Sequence, residues 1–465
     1  MLKKWVITEF IVLAASILSI AQQSLSDQDL QNLRQGFDTE DANNIAIMNA
    51  LTANGVKKLA VNRKKAGKID HHFKYKVEVS GITSQEKSGR CWMFTSLNSL
   101  RPKLIQDKNL SEFEFSTNYL YFYDMLEKSN LFLENCIATA DQPMEARKVE
   151  WLFKNPIGDG GVWNSFANLV DKYGLVPQKA MPETYHSNNT SWLRRILNRK
   201  LREHALSLRE MSTTGSDEVS IREQKIEMMH DVYRILALSL GVPPQEFEYR
   251  FVDKDNKIGE TKQYTPLGFY QEHFPEYDPD NYVMLMNDPT RDYYKLYEIE
   301  YDRNVMEGQN WQYINLPNKE LKKIAVASIK DKDAMYVSCD VGKQLSKDDG
   351  SLLVDNYDFA SLYGMPFGMD KAQRIETRES GSSHAMLLMA VDVDDNEKPT
   401  KWQFENSWGA DYGHDGYLTF SDEWFDEYLF RIVPHKKYID DDILKILDEE
   451  PVMLPPWDPM FMQDM

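Results

Sequence analysis

Trp92, Met93, Phe94, Leu97 and Leu100 recur at helical spacing just after the small residues Ser88 and Gly89, which turn the chain. The pattern predicts a helix opened by Cys91, and Pro102, which lacks an N–H, is expected to bend or end it. Leu193, Ile196, Leu197, Leu201, Ala205 and Leu208 mark a second helix. Ile226, Met229, Val232, Tyr233 and Leu236 mark a third that stops at Gly241-Val242-Pro243-Pro244. Toward the C-terminus the period changes. Met386 to Val391 is a short apolar run and Lys401 to Phe404 alternates polar with apolar, so both read as strands, joined by a hairpin through the polar stretch Asp392 to Thr400.

These elements carry the parts of a thiol hydrolase. Cys91 at a helix start meets unpaired backbone N–H groups and the positive end of the dipole, which favour thiolate over thiol. Gln85 lies across the turn, where its amide can join the Cys91 N–H as an oxyanion hole. His384 leads the first strand and Asn406 follows the second, so the amide oxygen can hold the imidazole tautomer that faces the sulfur, with Trp408 shielding that bond from water. Taken singly, Cys91 reads as a buried small hydrophobe, His384 as a satisfied core residue and Trp408 as packing. Taken together, they read as a site.

The combination Gln-x5-Cys-Trp, a His leading a strand, and Asn406-Ser407-Trp408-Gly409 running to Gly416-Tyr417 resembles the papain superfamily. In that resemblance Asp159-Gly160-Gly161 is the stretch that hydrogen-bonds substrate backbone, with Gly160 and Gly161 as substrate-binding residues, since glycine lets a peptide approach closely. One spacing departs from it. His384 follows Cys91 by 293 positions (384 − 91), against roughly 130–150 in ordinary members. An insertion of roughly 150 residues is therefore expected.

That insertion, a tail ending Leu454-Pro455-Pro456-Trp457-Asp458-Pro459-Met460, and segments such as Glu112 to Ser116 and Asp422 to Phe425 resemble the bleomycin hydrolase and aminopeptidase C family. The resemblance implies an α+β, papain-like fold of two subdomains, one helical and one β-barrel-like, with a large, mainly helical insertion. It divides the chain, after a signal at 1–21 that departs from the family, into an N-terminal arm at 22–80, a helical subdomain at 81–181, the insertion and oligomerisation segment at 182–330, a β subdomain at 331–435 and a C-terminal arm at 436–465. It further implies a homohexamer and a catalytic set of Cys91, His384, Asn406 and Gln85. It also implies an arm that enters the cleft so that only peptides with a free N-terminus fit. Asp464 and Met465 then approach the substrate's α-ammonium, although Phe461 to Met465 replaces the small residues usual in the family.

Lys3 and Lys4 before the apolar stretch Phe10 to Ile20, ending in Ala21, match a secretory signal. A secreted or periplasmic enzyme is expected, with the mature chain starting near Gln22. Read as an uncleaved anchor or an ordinary helix, the same stretch leaves the protein tethered or cytoplasmic. The apolar run is shorter than the roughly 20 residues of a stable membrane span.

Composition adds exclusions. With 465 residues and 42% hydrophobic content the chain can bury a sizeable core, and a net charge of −19 argues against nucleic acid as a partner. The basic stripe Arg194, Arg195, Arg199, Lys200, Arg202 reads as a solvated helix face. Three cysteines cannot form a disulfide framework, and Cys136 and Cys339 read as buried hydrophobes. Asp392 to Gln403 starts like a calcium loop but has Glu397 and Gln403 where Gly and Glu are needed, and no zinc spacing occurs, so neither metal nor cofactor is expected. Two function classes follow. One is a thiol aminopeptidase, with an endopeptidase as its close variant; the other is a binding or scaffold barrel in which catalysis is incidental.

Overall fold

The computed structural model describes residues 24–154 and 156–460. The expected signal at 1–21 and the final residues Phe461 to Met465 lie outside the described residues. The chain divides into two compact units. The first, ending at Ala60, contains the helices Asp27–Gln35, Ala42–Ala53 and Val56–Leu59. Ser26 and Asp29 form a reciprocal capping box on the first of these, and Asp41 caps the second.

The second unit, from Val61 on, holds two hydrophobic cores. One is helical. It packs Trp92, Met93 and Leu97 of the helix Cys91–Asp107 against Phe122 of Thr117–Ala138, Phe166 of Trp163–Tyr173, and Leu197 and Val232 of the helices Ser191–Thr213 and Glu218–Leu240. Pro102 sits inside its helix, which runs on to Asp107. Pro102 does not end the helix because burial on several sides outweighs the roughly 3 kcal/mol that an internal proline costs.

The other core is built on a 12-stranded sheet. At its centre Met335–Cys339, His384–Val393, Pro399–Glu405 and Tyr417–Ser421 run antiparallel in order, burying Val337, Met386, Leu388, Phe404 and Phe420. The hairpin between the His384 and Pro399 strands turns at Glu397, whose φ of 59° is left-handed. Tyr75–Lys76 pairs with the end of the His384 strand, so the end of the expected N-terminal arm belongs to this body.

Within the expected insertion at 182–330, long helices run to Leu240 and helix returns at Pro266–His273 and Asn318–Lys330, while Leu285–Met286, Lys295–Ile299 and Gln312–Asn315 between them join the large sheet. Their periodicity is too short to separate strand from helix; pairing with distant strands decides it. The basic stripe is also not simply solvated. Arg194 pairs with Asp159 at 3.1 Å, and Arg202 caps the carbonyls of Phe153 and Lys154. Among the described residues no helix is long and apolar enough to cross a membrane.

Candidate active site

The two cores meet where the Cys91 helix faces the His384 strand. Cys91 is the first residue of its helix, and Arg90, at the cap position, supplies no side-chain cap, so the positive end of the dipole points at the thiol. The preceding turn is locked from several directions. Arg90 is fully buried and pairs with Glu183 at 2.9 Å. The Gly89 N–H donates to Asp159 Oδ2 at 2.8 Å, and a Cβ at Gly89 would lie 2.6 Å from that carboxylate. Trp92 Nε1 donates to the Asp159 carbonyl at 2.9 Å. Burial works to raise the Asp159 carboxyl, but Arg194, Thr190 and the Gly89 N–H together hold it below the usual carboxylate range.

On the opposite side, His384 Nε2 lies 2.8 Å from Asn406 Oδ1. The same oxygen accepts the Ser407 N–H at 2.8 Å, so the amide is oriented with its acceptor toward the ring, Nε2 carries the hydrogen and Nδ1 keeps its lone pair. Trp408 lies over the imidazole with ring centroids 4.7 Å apart. Desolvation pushes His384 down to about 4, with the Asn406 bond pulling it back up.

Gln85 stitches the halves together. Its backbone N–H donates to the Ser407 carbonyl at 2.8 Å, and its side-chain oxygen accepts from Ser407 Oγ at 2.7 Å. Its amide nitrogen donates to the Ser88 carbonyl at 2.6 Å. Cys91, His384, Gly160 and Gly161 line one cleft. Gly161 is required by packing, since a Cβ there would lie 2.6 Å from the Trp92 ring, whereas Gly160 has open space at that position. Cys136 and Cys339 are buried thiols, Cys136 being pushed up to about 12 by burial.

Sequence reasoning missed a polar network beneath the glycines. Lys128 Nζ donates to Asp124 at 2.7 Å and to the carbonyls of Gly158 and Gly160 at 3.1 and 2.6 Å. Asp124 in turn accepts from Asn304 at 2.9 Å. Lys128 and Asp124 stand four apart on one helix, which reads in sequence only as a surface ion pair. Also missed were Asp302 and Arg431, which line the cleft with Met460 of the arm. The arm itself pairs Val452–Leu454 with Lys295–Ile299 and anchors Asp458 on Arg291, and Arg431 donates to the Met460 carbonyl. The proposed contacts Asp464 and Met465 lie outside the described residues.

The Peptidase C1-like family model matches residues 24–461. Aminopeptidase C of Listeria monocytogenes is 36% identical over 441 residues, covering 94% of this chain and 99% of that protein. Bleomycin hydrolase of Homo sapiens is 38% identical over 426 residues, covering 90% and 94%. The crystal structure of PepW from Lactobacillus rhamnosis superposes with a TM-score of 0.91 at 35% identity, covering 94% of this chain and 98% of that one. A family model spanning nearly the whole chain, and relatives aligned along almost their full length, show that this chain belongs to the Peptidase C1-like family.

Proposed function

We propose that the chain is a cysteine aminopeptidase that removes N-terminal residues from peptides through a thioester acyl-enzyme. Cys91 is the nucleophile, His384 the general base and acid, Asn406 the group that orients His384, and Gln85 with the Cys91 backbone N–H the oxyanion donors. The observation that carries this reading is the 2.8 Å His384–Asn406 bond, set on a cleft that Cys91 lines from the helical core. The names of the relatives, aminopeptidase C and bleomycin hydrolase, supply the substrate class.

In the first half-reaction the Cys91 proton passes to His384 and the sulfur attacks the scissile carbonyl carbon. The C–N bond breaks as the imidazolium returns that proton to the leaving amine. Water, deprotonated by His384, then attacks the thioester and regenerates the thiol. Gln85 spends one amide N–H on Ser88, and its second is the one available to the oxyanion. Gly160 and Gly161 carry the substrate backbone, and Trp408 keeps water from the His384–Asn406 bond.

Three further properties belong to this reading. The arm reaches the cleft at Met460, and Asp464 and Met465 are the residues assigned to the substrate's α-ammonium in this reading. Trp192, Ile196, Val219, Ile226 and Leu238 form exposed apolar surface on two helices, suited to a homohexamer. The segment 1–21 directs the enzyme to a secreted or periplasmic location.

Iodoacetamide labelling followed by mass spectrometry tests the nucleophile. Cys91 should alkylate at mildly acidic pH far faster than Cys136 or Cys339, in parallel with loss of aminopeptidase activity. Equal labelling of all three, or full activity after Cys91 is blocked, contradicts the assignment.

A further inference from the structure

An enzyme that accepts only free amino termini needs a negative charge where the substrate's α-ammonium lies, and resting on the aminopeptidase reading above, the cleft offers a fixed one. Lys128, Arg303 and Arg431 also line this cleft, and each of these cations is engaged: Lys128 with Asp124 and two carbonyls, Arg303 with Asn310 at 3.3 Å, Arg431 with the Met460 carbonyl. Among the described residues lining the cleft, Asp302 is the one carboxylate. Among the described residues no hydrogen bond or ion pair reaches its side chain, and the residue is half-buried. Burial pushes its carboxyl up to about 6, with Arg431 and Lys128 pulling against it, the condition of a desolvated carboxylate that gains from a cation at its side.

Asp302 is also rigidly placed. Tyr301, with φ 64°, turns the chain as it leaves the strand Lys295–Ile299. The Asp302 carbonyl accepts from Asn164 Nδ2 and the Trp311 N–H, both at 2.9 Å. Asn304, two residues on and fully buried, donates to Asp124 and to the Ser165 carbonyl. The same strand carries the arm, since Val452–Leu454 pairs alongside it and the Glu300 N–H donates to the Leu454 carbonyl at 2.9 Å. The arm and the Asp302 turn therefore leave one hydrogen-bonded pair of strands and reach the cleft together.

We infer that Asp302 is a specificity-determining residue that pairs with the α-ammonium of the substrate, a fixed anionic site beside whatever the end of the arm contributes. A charge-assisted bond of this kind carries about tenfold or more in affinity.

The test compares an alanyl fluorophore with its desamino twin, the propionyl fluorophore, in the full chain. The readout is kcat/KM, or Ki against the alanyl substrate where the twin is not turned over. Asp302→Asn should lose about tenfold or more on the alanyl compound, mainly through KM, and leave the propionyl compound within about twofold. Asp302→Glu, which keeps the charge, should retain most of the preference and serves as the folded control. Equal losses on both compounds, no loss on either, or a Glu variant as unselective as the Asn variant overturns the inference. Wild-type enzyme with no preference for the alanyl compound instead defeats the aminopeptidase reading itself.

Discussion

Arg101 and Glu405 form an ion pair with Nη1 3.2 Å from Oε1 and both side chains essentially withdrawn from solvent, at 1% and 0% exposure. It joins the helix that Cys91 opens to the strand that ends one residue before Asn406. Asn98 Nδ2 reaches the same carboxylate at 3.0 Å. Arg101 spends its other donors on Asn98 Oδ1 and on the carbonyls of Phe113, Ser80 and Gly81, so only one N–H faces Glu405.

That division sets a pH dependence. Burial pushes the Glu405 carboxyl up to about 7, with Arg101 pulling against it. A carboxyl that holds its proton more tightly folded than unfolded makes the native state lose stability as pH rises from about 4.5 to about 7. Glu405→Gln should flatten this slope, read as a smaller change in urea midpoint between pH 5 and pH 8 than wild type shows. At pH 8, where the Glu405 carboxyl is ionised, Arg101→Met strands the carboxylate and three carbonyls and should cost about 3–5 kcal/mol. A variant as stable as wild type would show that the pair does not hold the two halves together.

The catalytic pair predicts an unusual acid limb. Desolvation holds the His384 imidazole down to about 4, well under the ordinary 6.5. As pH falls, the ring therefore stays unprotonated and able to take the Cys91 proton until near pH 4, and kcat/KM should persist far below the range where an exposed histidine titrates. Asn406→Ala removes the bond that raises this value and orients the ring, and should lower kcat on the order of 10²-fold. A wild-type limb near 6.5 would contradict the buried, Asn-bound geometry.

Gly160 and Gly161 should separate under substitution. A Cβ at Gly161 meets the Trp92 ring at 2.6 Å, next to the nucleophile, whereas one at Gly160 meets nothing. Gly161→Ala should lower the melting temperature and cost on the order of 10²-fold in kcat/KM through displacement of Cys91. Gly160→Ala should melt like wild type. Thermal melts and steady-state kinetics on the two variants decide it, and identical behaviour would remove the packing argument.

Deleting Phe461 to Met465 spares the Asp458–Arg291 pair and the Met460 seat on Arg431, so the shortened chain should fold. It should open the cleft to N-blocked peptides and weaken cleavage of free ones. The measurement is kcat/KM for an aminoacyl fluorophore against its N-acetyl twin, in full-length and shortened enzyme. An unchanged ratio places the end of the arm outside the cleft.

Local sequence determined those parts of this protein whose physics is local. The turn at Ser88-Gly89, the helix starting at Cys91, the hairpin between His384 and Asn406, and the inert character of Cys136 and Cys339 follow from spacing, glycine freedom and apolar runs. Tertiary structure decided what depends on partners far away along the chain. Pro102 stays helical because its helix is buried, and Leu285–Met286, Lys295–Ile299 and Gln312–Asn315 are strands because distant strands pair with them. Arg101 meets Glu405 across 304 positions, and Asn304 meets Asp124 across 180. A lone Asp, Lys or Arg has no periodicity to announce it, and burial beside an opposite charge or a carbonyl exists only once the chain has closed on itself. For that reason Lys128, Asp302 and Arg431 became part of the site only in three dimensions.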